Sequence, residues 1–263
     1  MVAISLLTDF GLKDNFVGVI KGVVAGINPR AHIIDITHEV APQNILHAAF
    51  LLKNSFRFFP PGTIHLVVVD PGVGTARKRL LVQTKNYYFI APDNGVLSLA
   101  LEDEPARKII EIRNKRYFLQ PVSDTFHGRD IFAPVAAYLS RGIDPSRFGE
   151  KIHSLKTVVL PKIHIRGDAL RGEIIYRDYF GNAVSNIGRK SFEEFVRGRS
   201  FTVRIKNSVI TGLAHSYAQA SASEPVALMD SFDFLEIAVR GDSAEKRLKI
   251  KEGDTVTVTR TYL

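Results

Sequence analysis

Two aspartates stand directly at the ends of short apolar segments, where an α/β protein would present them to a ligand. Asp9 ends the run Ser5-Leu6-Leu7-Thr8-Asp9, and Asp70 ends the run Val67-Val68-Val69-Asp70. In open α/β sheets, ligands bind beyond the carboxyl ends of the strands. A single aspartate at such a position is more often the cap of a turn or helix, whereas two at the same edge favour a site with two carboxylates.

The segment after Asp70 and a histidine further along the chain add cationic and proton-handling groups. Asp70 is followed by Pro71-Gly72-Val73-Gly74-Thr75-Ala76-Arg77, whose glycines allow the backbone to approach a ligand closely. No Walker-type Gly-Lys-Ser/Thr follows them. His127 precedes a predicted helix, and the dipole at a helix N-terminus disfavours an imidazolium. His127 could therefore act as a neutral base or a hydrogen-bond relay, although Arg77 and His127 could also be ordinary solvated loop residues.

The second half of the chain contains a third group of candidates. In Asp178-Tyr179-Phe180-Gly181-Asn182, a carboxylate could pair with a cation, an aromatic ring could cover a heterocycle, and an amide could read its edge. Recognition of a charged nucleoside requires these groups, but the same composition is typical of a plain hairpin loop. Further candidates, each equally compatible with a core or surface position, are Tyr217, Ser231, Phe232, Phe234 and Glu236.

Apolar periodicity in the first half predicts the elements that would position these residues. Residues 2–7 indicate a buried strand, residues 16–27 a helix ended by Asn28-Pro29, and residues 32–36 a second strand, which together make a βαβ unit. The same patterns predict a helix, a strand and another helix at residues 45–58, 64–69 and 132–139. We therefore expect an N-terminal α/β domain with a largely parallel central sheet.

The pattern changes after about Lys156. Short alternating segments separated by Gly, Asn or Asp predict a small antiparallel β-barrel, with one short helix near residues 192–196. The predicted strands are residues 170–176, 201–205, 226–229, 234–239 and 255–262. The expected domains are residues 1–157 and residues 165–263.

The composition is that of a globular protein. The 263 residues are 45% hydrophobic and 24% charged, and 35 Lys and Arg against 27 Asp and Glu give a formal charge of +8. Because this modest excess is spread along the chain, nucleic-acid binding is not expected. The absence of cysteine removes disulfides, thiolate metal sites and cysteine nucleophiles. No signal-peptide pattern opens the chain and no apolar run approaches the ~18 residues of a membrane span, so we expect a cytoplasmic protein without membrane contact.

Taken together, these stretches resemble the S-adenosyl-L-methionine (SAM) hydrolases, also called SAM hydroxide adenosyltransferases, which are related to the fluorinase and chlorinase. The resemblance runs nearly from end to end. Its landmarks are Thr8-Asp9-Phe10-Gly11, Val69-Asp70-Pro71-Gly72-Val73-Gly74 with Arg77 seven residues after Asp70, Ala91-Pro92-Asp93-Asn94-Gly95, Phe126-His127-Gly128-Arg129-Asp130, Asp178-Tyr179-Phe180-Gly181-Asn182, and Ser231 followed by Leu235-Glu236-Ile237-Ala238.

The resemblance implies that SAM is hydrolysed to adenosine and L-methionine without a cofactor or a metal. It also implies a homotrimer whose sites lie between the N-domain of one subunit and the C-domain of its neighbour. Residues 1–157 would then handle the nucleophile, and residues 165–263 would recognise adenine and methionine.

Site residues follow from the resemblance position by position. The water-handling triad of the family falls on Asp70, Arg77 and His127, and Asp9 matches the position that holds the ribose hydroxyls. In the C-terminal domain the matched substrate-binding positions are Asp178 and Ser231 for methionine, Asn182 for adenine, and Glu236 to Val239 along the adenine side, largely through backbone. Phe180 is a further substrate-binding candidate, because its residue type could cover a ring.

In the implied reaction, water or hydroxide attacks C5′ of the ribose in line with the sulfonium, and methionine leaves as a neutral thioether. Arg77 would stabilise hydroxide-like character on the water. His127 would orient the water or accept its proton, and Asp70 would align Arg77 and the water.

Three other functions remain open. A SAM-dependent halogenase is disfavoured because the halogenating relatives lose the pair formed by Asp70 and His127, and because the fluorinase has an extra loop that the short connection here between Leu81 and Tyr88 lacks. A metal-dependent phosphohydrolase would use oxygen and imidazole ligands. A nucleic-acid or regulatory binding module would bind without turnover. The candidate metal ligands are Asp9, Asp70, His127 and Asp130.

Overall fold

Alternate residues of the first strand face two different layers of helices. In the computed structural model, which describes residues 2–219 and 221–261, β1 (Ala3–Thr8) directs Ile4 and Leu6 towards helices α1 (Phe16–Ile27) and α4 (Ala133–Ser140). Leu7 faces α2 (Ile45–Ser55) instead. A strand covered on both faces has no solvent side, and this accounts for the mainly apolar sequence of the strand predicted at residues 2–7.

A seven-stranded mixed sheet lies between these layers. Its other strands are β2 (His32–Thr37), β3 (Ile64–Val68), β4 (Arg79–Gln83), β5 (Tyr88–Pro92), β6 (Lys108–Ile112) and β7 (Gly149–Ile152). The order is β2-β1-β3-β5-β4-β6-β7. In this order, β2, β1, β3 and β5 pair in parallel, as predicted. The last three pair antiparallel, starting at β4 and β5, whose short connection is closed by a bond from Thr84 N to Tyr87 O.

The second half of the chain forms an antiparallel, nearly closed β-barrel, as predicted. Its strands are β8 (His164–Arg166), β9 (Ala169–Arg177), β10 (Ala183–Gly188), β11 (Phe201–Ile205), β12 (Ser208–Thr211), β13 (Pro225–Met229), β14 (Phe234–Val239) and β15 (Thr255–Arg260). The order is β12-β11-β15-β9-β10-β14-β13, with β8 also on β9. Ala214 N donates to Ala227 O over 2.9 Å and so links the two ends of the sheet. Tyr262, predicted at the end of the last strand, lies outside the described residues.

The chain divides into two compact units, Met1–Val159 and Leu160–Leu263. Each unit has a hydrophobic core of its own. The described residues also form three further α-helices: α3 (Ser98–Asp103), α5 (Arg189–Val196) and α6 (Ala244–Leu248). No helix within the described residues is long and apolar enough to cross a membrane.

Candidate active site

Asp9 and Asp70 lie at the same edge of the sheet in the first unit. Strands β1 and β3 pair in parallel with Thr8 opposite Val68, so both strands end at the same edge of the sheet. Asp9 follows Thr8 directly, and Asp70 lies two residues after Val68. Both aspartates line a cleft of about 390 Å³. The structure therefore brings the two carboxylates into one crevice.

Three aromatic rings line the same cleft. The rings of Phe10, Phe16 and Phe126 contact one another edge to face or at a tilt, with centroids between 5.2 and 5.8 Å apart. In the same cleft, Oδ2 of Asp9 accepts a hydrogen bond from the backbone N–H of Gln43 over 2.8 Å. Gln43 has a φ of +63°, a backbone conformation that is rare outside glycine and is concentrated at functional sites.

Arg77 joins Asp70 to His127. Its Nε donates to Oδ1 of Asp70 over 2.7 Å, and its Nη2 donates both to Oδ2 of Asp70 and, over 2.8 Å, to Nδ1 of His127. The side chains of Asp70 and Arg77 are 6% and 4% exposed, and His127 is buried. A bidentate ion pair shielded in this way has a fixed geometry. Of the described residues in this group, Asp70 and His127 line the cleft and Arg77 lies behind them.

The bond from Arg77 determines which nitrogen of His127 carries a hydrogen. A guanidinium can only donate, so Nδ1 of His127 must accept, and the hydrogen of the neutral ring is on Nε2. Burial and the positive charges of Arg77 and Arg79 hold the pKa of His127 below its usual range, against the smaller opposing effects of Asp70 and Asp124. His127 is therefore a neutral ring whose Nε2–H is a donor.

Local packing positions the two loops that carry Arg77 and His127. Gly74 has a φ of +78°, and a Cβ there would lie 2.5 Å from the backbone oxygen of Asp124. Gly74 thus lets the two loops pack closely, and this accounts for a glycine at that position without a bound phosphate. His127 itself directly precedes a π-helical turn (Gly128–Phe132) that leads into α4, and such turns occur frequently at functional sites.

The loop of residues 178–182 joins β9 to β10 in the second unit. Asp178 accepts from the backbone N–H of Asn182 over 2.8 Å and from Nδ2 of Asn182 over 2.9 Å. Tyr179 and Phe180 at its tip are 98% and 73% exposed. The segment is therefore a hairpin loop whose polar residues bind each other, and its two aromatic side chains stand free of the barrel core.

Glu236 is a buried carboxyl close to this loop. Burial raises its pKa to about 7, and the nearby Asp178 and Asp230 carboxylates add to this, while the bond from the Tyr217 hydroxyl to Oε1, 2.9 Å long, acts against it. Burial also raises the pKa of Asp230. One region of the second unit thus combines three carboxyl groups with a phenol.

The remaining candidates of the second unit differ in accessibility. Ser231 is exposed. Val239 is buried in the barrel core, so its side chain is not available to a ligand, and its backbone oxygen accepts from Asp242 N over 3.2 Å.

Both units match one family of proteins. A family model described as the SAM hydroxide adenosyltransferase N-terminal domain matches residues 4–149, and the C-terminal domain model of the same family matches residues 172–257. The chain belongs to the SAM hydroxide adenosyltransferase family. The resemblance drawn from the sequence motifs is thereby confirmed.

Several individual proteins are similar to this family member over almost its whole length. A protein named (R)-S-adenosyl-L-methionine hydrolase from Thermus thermophilus is 34% identical over 262 residues, which cover 96% of this chain and 98% of that protein. One of the same name from Methanocaldococcus jannaschii is 33% identical over 266 residues, covering 97% and 95%. The crystal structure of an uncharacterized conserved protein from Thermotoga maritima superposes with a TM-score of 0.89 at 40% identity, covering 99% of this chain and 100% of that one.

The metal-ligand set considered from the sequence does not assemble in this family member. Asp130 is fully buried, and its carboxylate accepts from Ser123 N over 2.8 Å and from the guanidinium of Arg129. Both oxygens of Asp70 are bound by Arg77. Within residues 2–219 and 221–261, no three His, Asp or Glu side chains converge in a way that could hold a metal ion.

Two residues near the cleft were missed by sequence reasoning. Arg79 is a half-buried arginine whose charge acts on His127, whereas in the sequence it is only part of a basic run. His38 is buried beside the loop of Asp9. No local pattern indicates either role, since each depends on a neighbour from a distant part of the chain.

Proposed function

We propose that the protein is an (R)-S-adenosyl-L-methionine hydrolase, which splits SAM into adenosine and L-methionine. The observation that carries this proposal is the buried group formed by Asp70, Arg77 and His127 at a cleft that Asp9 also lines. Relatives with this name match nearly the whole chain.

The reaction forms one bond and breaks one. The water oxygen bonds to C5′ of the ribose, the bond from C5′ to sulfur breaks, and its electron pair stays on sulfur, which becomes a neutral thioether. One proton of the water is released. Because a positive sulfonium disappears as hydroxide-like character develops, a site that excludes bulk water favours the step.

The neutral state of His127 supports one assignment of the proton transfer. Its Nε2–H can donate to the water oxygen and orient a lone pair towards C5′, but the ring has no free lone pair for the proton. Asp70 faces the same cleft, and each of its oxygens keeps a second lone pair beside the bond to Arg77. In this proposal Asp70 accepts the proton, His127 orients the water, and Arg77 is a positioning residue for both.

Recognition is divided between the two units. Asp9 binds the ribose hydroxyls through charge-assisted hydrogen bonds, while Gln43 N holds one of its oxygens. Asp178 and Ser231 bind the methionine part, and Phe180, Asn182 and Glu236 bind on the adenine side, with Val239 contributing through its backbone alone. The functional assembly is a homotrimer in which each site uses the first unit of one subunit and the second unit of its neighbour.

The test is product identification from separate incubations with (R)-SAM and (S)-SAM in H₂¹⁸O, with and without chloride. The expected products are unlabelled methionine and adenosine with one ¹⁸O at the 5′ position, formed from the (R) epimer. A 5′-chloro-nucleoside would indicate a halogenase, and loss of activity with EDTA would indicate a metal enzyme. Asp70→Asn is the matched inactive control for product formation. The absence of turnover of either epimer by the parent protein would overturn the proposal.

A further inference from the structure

A buried hydrogen-bonded chain lies behind the loop that carries Asp9. Thr8, the last residue of β1, is fully buried, and its Oγ1 is 2.9 Å from Nδ1 of His38. The backbone N–H of Phe10 donates to the same Oγ1 over 3.3 Å. On the other side of the ring, Nε2 of His38 is 3.2 Å from Oδ1 of Asp35, within ion-pair distance but not well aligned as a hydrogen bond.

One arrangement of hydrogens agrees best with these contacts. Since Thr8 Oγ1 accepts from Phe10, its own hydrogen needs a buried acceptor, and Nδ1 of His38 is within reach. Nε2 then carries the ring hydrogen, on the side of the ring where Oδ1 of Asp35 lies 3.2 Å away. The opposite tautomer would place a lone pair of Nε2 next to that carboxylate. The donors therefore all point the same way: Phe10 N–H towards Thr8, the Thr8 hydroxyl towards His38, and the His38 Nε2–H towards the side of Asp35.

His38 holds the loop a second time through its backbone. Its carbonyl oxygen accepts from the N–H of Gly11 over 2.7 Å, and Gly11 has a φ of +65°, which glycine adopts without strain. The two peptide groups that follow Asp9 are therefore both fixed, one through the Thr8 hydroxyl and the other through the His38 carbonyl. Gln43 N fixes the Asp9 carboxylate itself.

We infer that Thr8 and His38 are positioning residues for Asp9, and that the chain through Asp35 sets the affinity of the cleft for the ribose of the nucleoside. The inference rests on the proposed function, because Asp9 has a ribose to bind only if that proposal holds. It adds that the orientation of Asp9, and with it the nucleoside affinity, depends on one buried hydroxyl that touches no ligand.

The first experiment compares two substitutions of Thr8 in the full-length protein. Thr8→Val keeps the shape and removes the hydroxyl, whereas Thr8→Ser keeps the hydroxyl. We expect Thr8→Val to weaken adenosine binding by about tenfold in calorimetry, and Thr8→Ser to restore most of that loss. Amide hydrogen exchange of Phe10 should be faster in Thr8→Val alone. Unchanged adenosine affinity in Thr8→Val would overturn the inference.

A double-mutant cycle separates positioning from general stability. If Thr8 acts through Asp9, then Thr8→Val should cause little further loss of adenosine affinity in an Asp9→Ala background. Losses that add fully would overturn the inference and leave Thr8 with a structural role only. If Asp9→Ala alone does not weaken adenosine, the ribose role of Asp9 in the proposed function fails, and the inference fails with it for that separate reason.

A second pair of variants keeps the inference testable if Thr8→Val does not fold. Asp35 is partly exposed and also binds Lys21 over 2.6 Å. Asp35→Asn removes the negative charge that lies beside Nε2 of His38. Lys21→Met removes the other partner of Asp35 and leaves the contact between Asp35 and His38 in place. Weaker adenosine binding in Asp35→Asn but not in Lys21→Met supports the inference, and equal affinities in both variants contradict it.

Discussion

Arg77 donates a hydrogen bond from Nη2 to Nδ1 of His127 over 2.8 Å, although 50 residues separate the two in the chain. The sequence resemblance leaves two functions open for His127, orientation of the water and removal of its proton. A ring whose Nδ1 accepts from a guanidinium and whose Nε2 carries the hydrogen has no lone pair for a proton. This relationship therefore favours orientation.

Substitution of His127 by glutamine and by alanine tests this division of roles. The amide nitrogen of Gln can donate near the position of Nε2, but an amide is not a base at neutral pH. We expect His127→Ala to lower kcat on the order of 10²-fold, with KM for SAM within a few-fold, and His127→Gln to retain clearly more activity. Steady-state kinetics measures these effects, and equal unfolding midpoints of the two variants verify that both remain folded. Equal losses in both variants would indicate a proton acceptor instead.

The low pKa of His127 predicts a specific pH dependence. Protonation would place a hydrogen on Nδ1 against the donor of Arg77, so kcat should fall as the pH drops through the depressed pKa of His127. Arg79 contributes to that depression, and Arg79→Gln should therefore shift the acidic limb of the kcat profile to higher pH. NMR titration of the His127 ring should show the same direction.

Lys78→Gln provides the matched control for Arg79→Gln. It removes the same charge from the neighbouring residue, and Lys78 is not among the groups that shift the pKa of His127. The acidic limb should stay in place in this variant. An equal shift in both variants would mean that general surface charge, rather than Arg79, determines the profile.

The strand ends were predictable because they depend on local patterns. Apolar runs that end in Asp9 and Asp70 place both residues at one edge of a parallel sheet, and the structure has them there. The antiparallel strands β4, β6 and β7 were not predicted, because segments of four or five residues with charged positions give no clear strand pattern and do not indicate the direction of pairing. An Asn-Gly dipeptide is typical of a hairpin turn, but Asn94-Gly95 lies between β5 and α3.

The contacts that determine the chemistry of the site are distant in sequence. The tautomer of His127 depends on Arg77, and the orientation of the Asp9 loop depends on His38. The predicted cause of a neutral His127, a helix dipole, differs from the main causes in the structure, which are burial and two arginines. None of these can be obtained from residue spacing, since each requires the packing of separate loops.

Glu236 predicts a pH dependence of SAM affinity that adenosine lacks. With a pKa of about 7, Glu236 gains its charge as the pH rises through neutrality. From the adenine side, this charge attracts the sulfonium of SAM, so SAM affinity should increase over that range. Neutral adenosine gains no such attraction and should bind with nearly constant affinity. Calorimetry in the His127→Ala background, where turnover is slow, measures both ligands.

The control for this prediction is a second carboxylate in the same unit. Glu236→Gln should remove the rise in SAM affinity with pH, and Glu224→Gln, at an exposed position, should leave it intact. If SAM affinity does not change between pH 6 and 8 in the parent protein, the charge of Glu236 does not act on the sulfonium.

The shared-site trimer can be tested by mixing two inactive variants, because the candidate residues belong to both compact units of the chain. His127→Ala damages the first unit and Asp178→Ala the second. After dissociation and reassembly of an equal mixture, one neighbouring pair in about four combines an intact first unit with an intact second unit, so about a quarter of the parent activity should return. Sites closed within one chain would give only the average of the two variants. Light scattering establishes the trimer, and mass labelling of one variant verifies that subunits have exchanged. A monomer, or verified exchange without recovered activity, would reject the shared site and leave the assignment of Asp70 and His127 untouched.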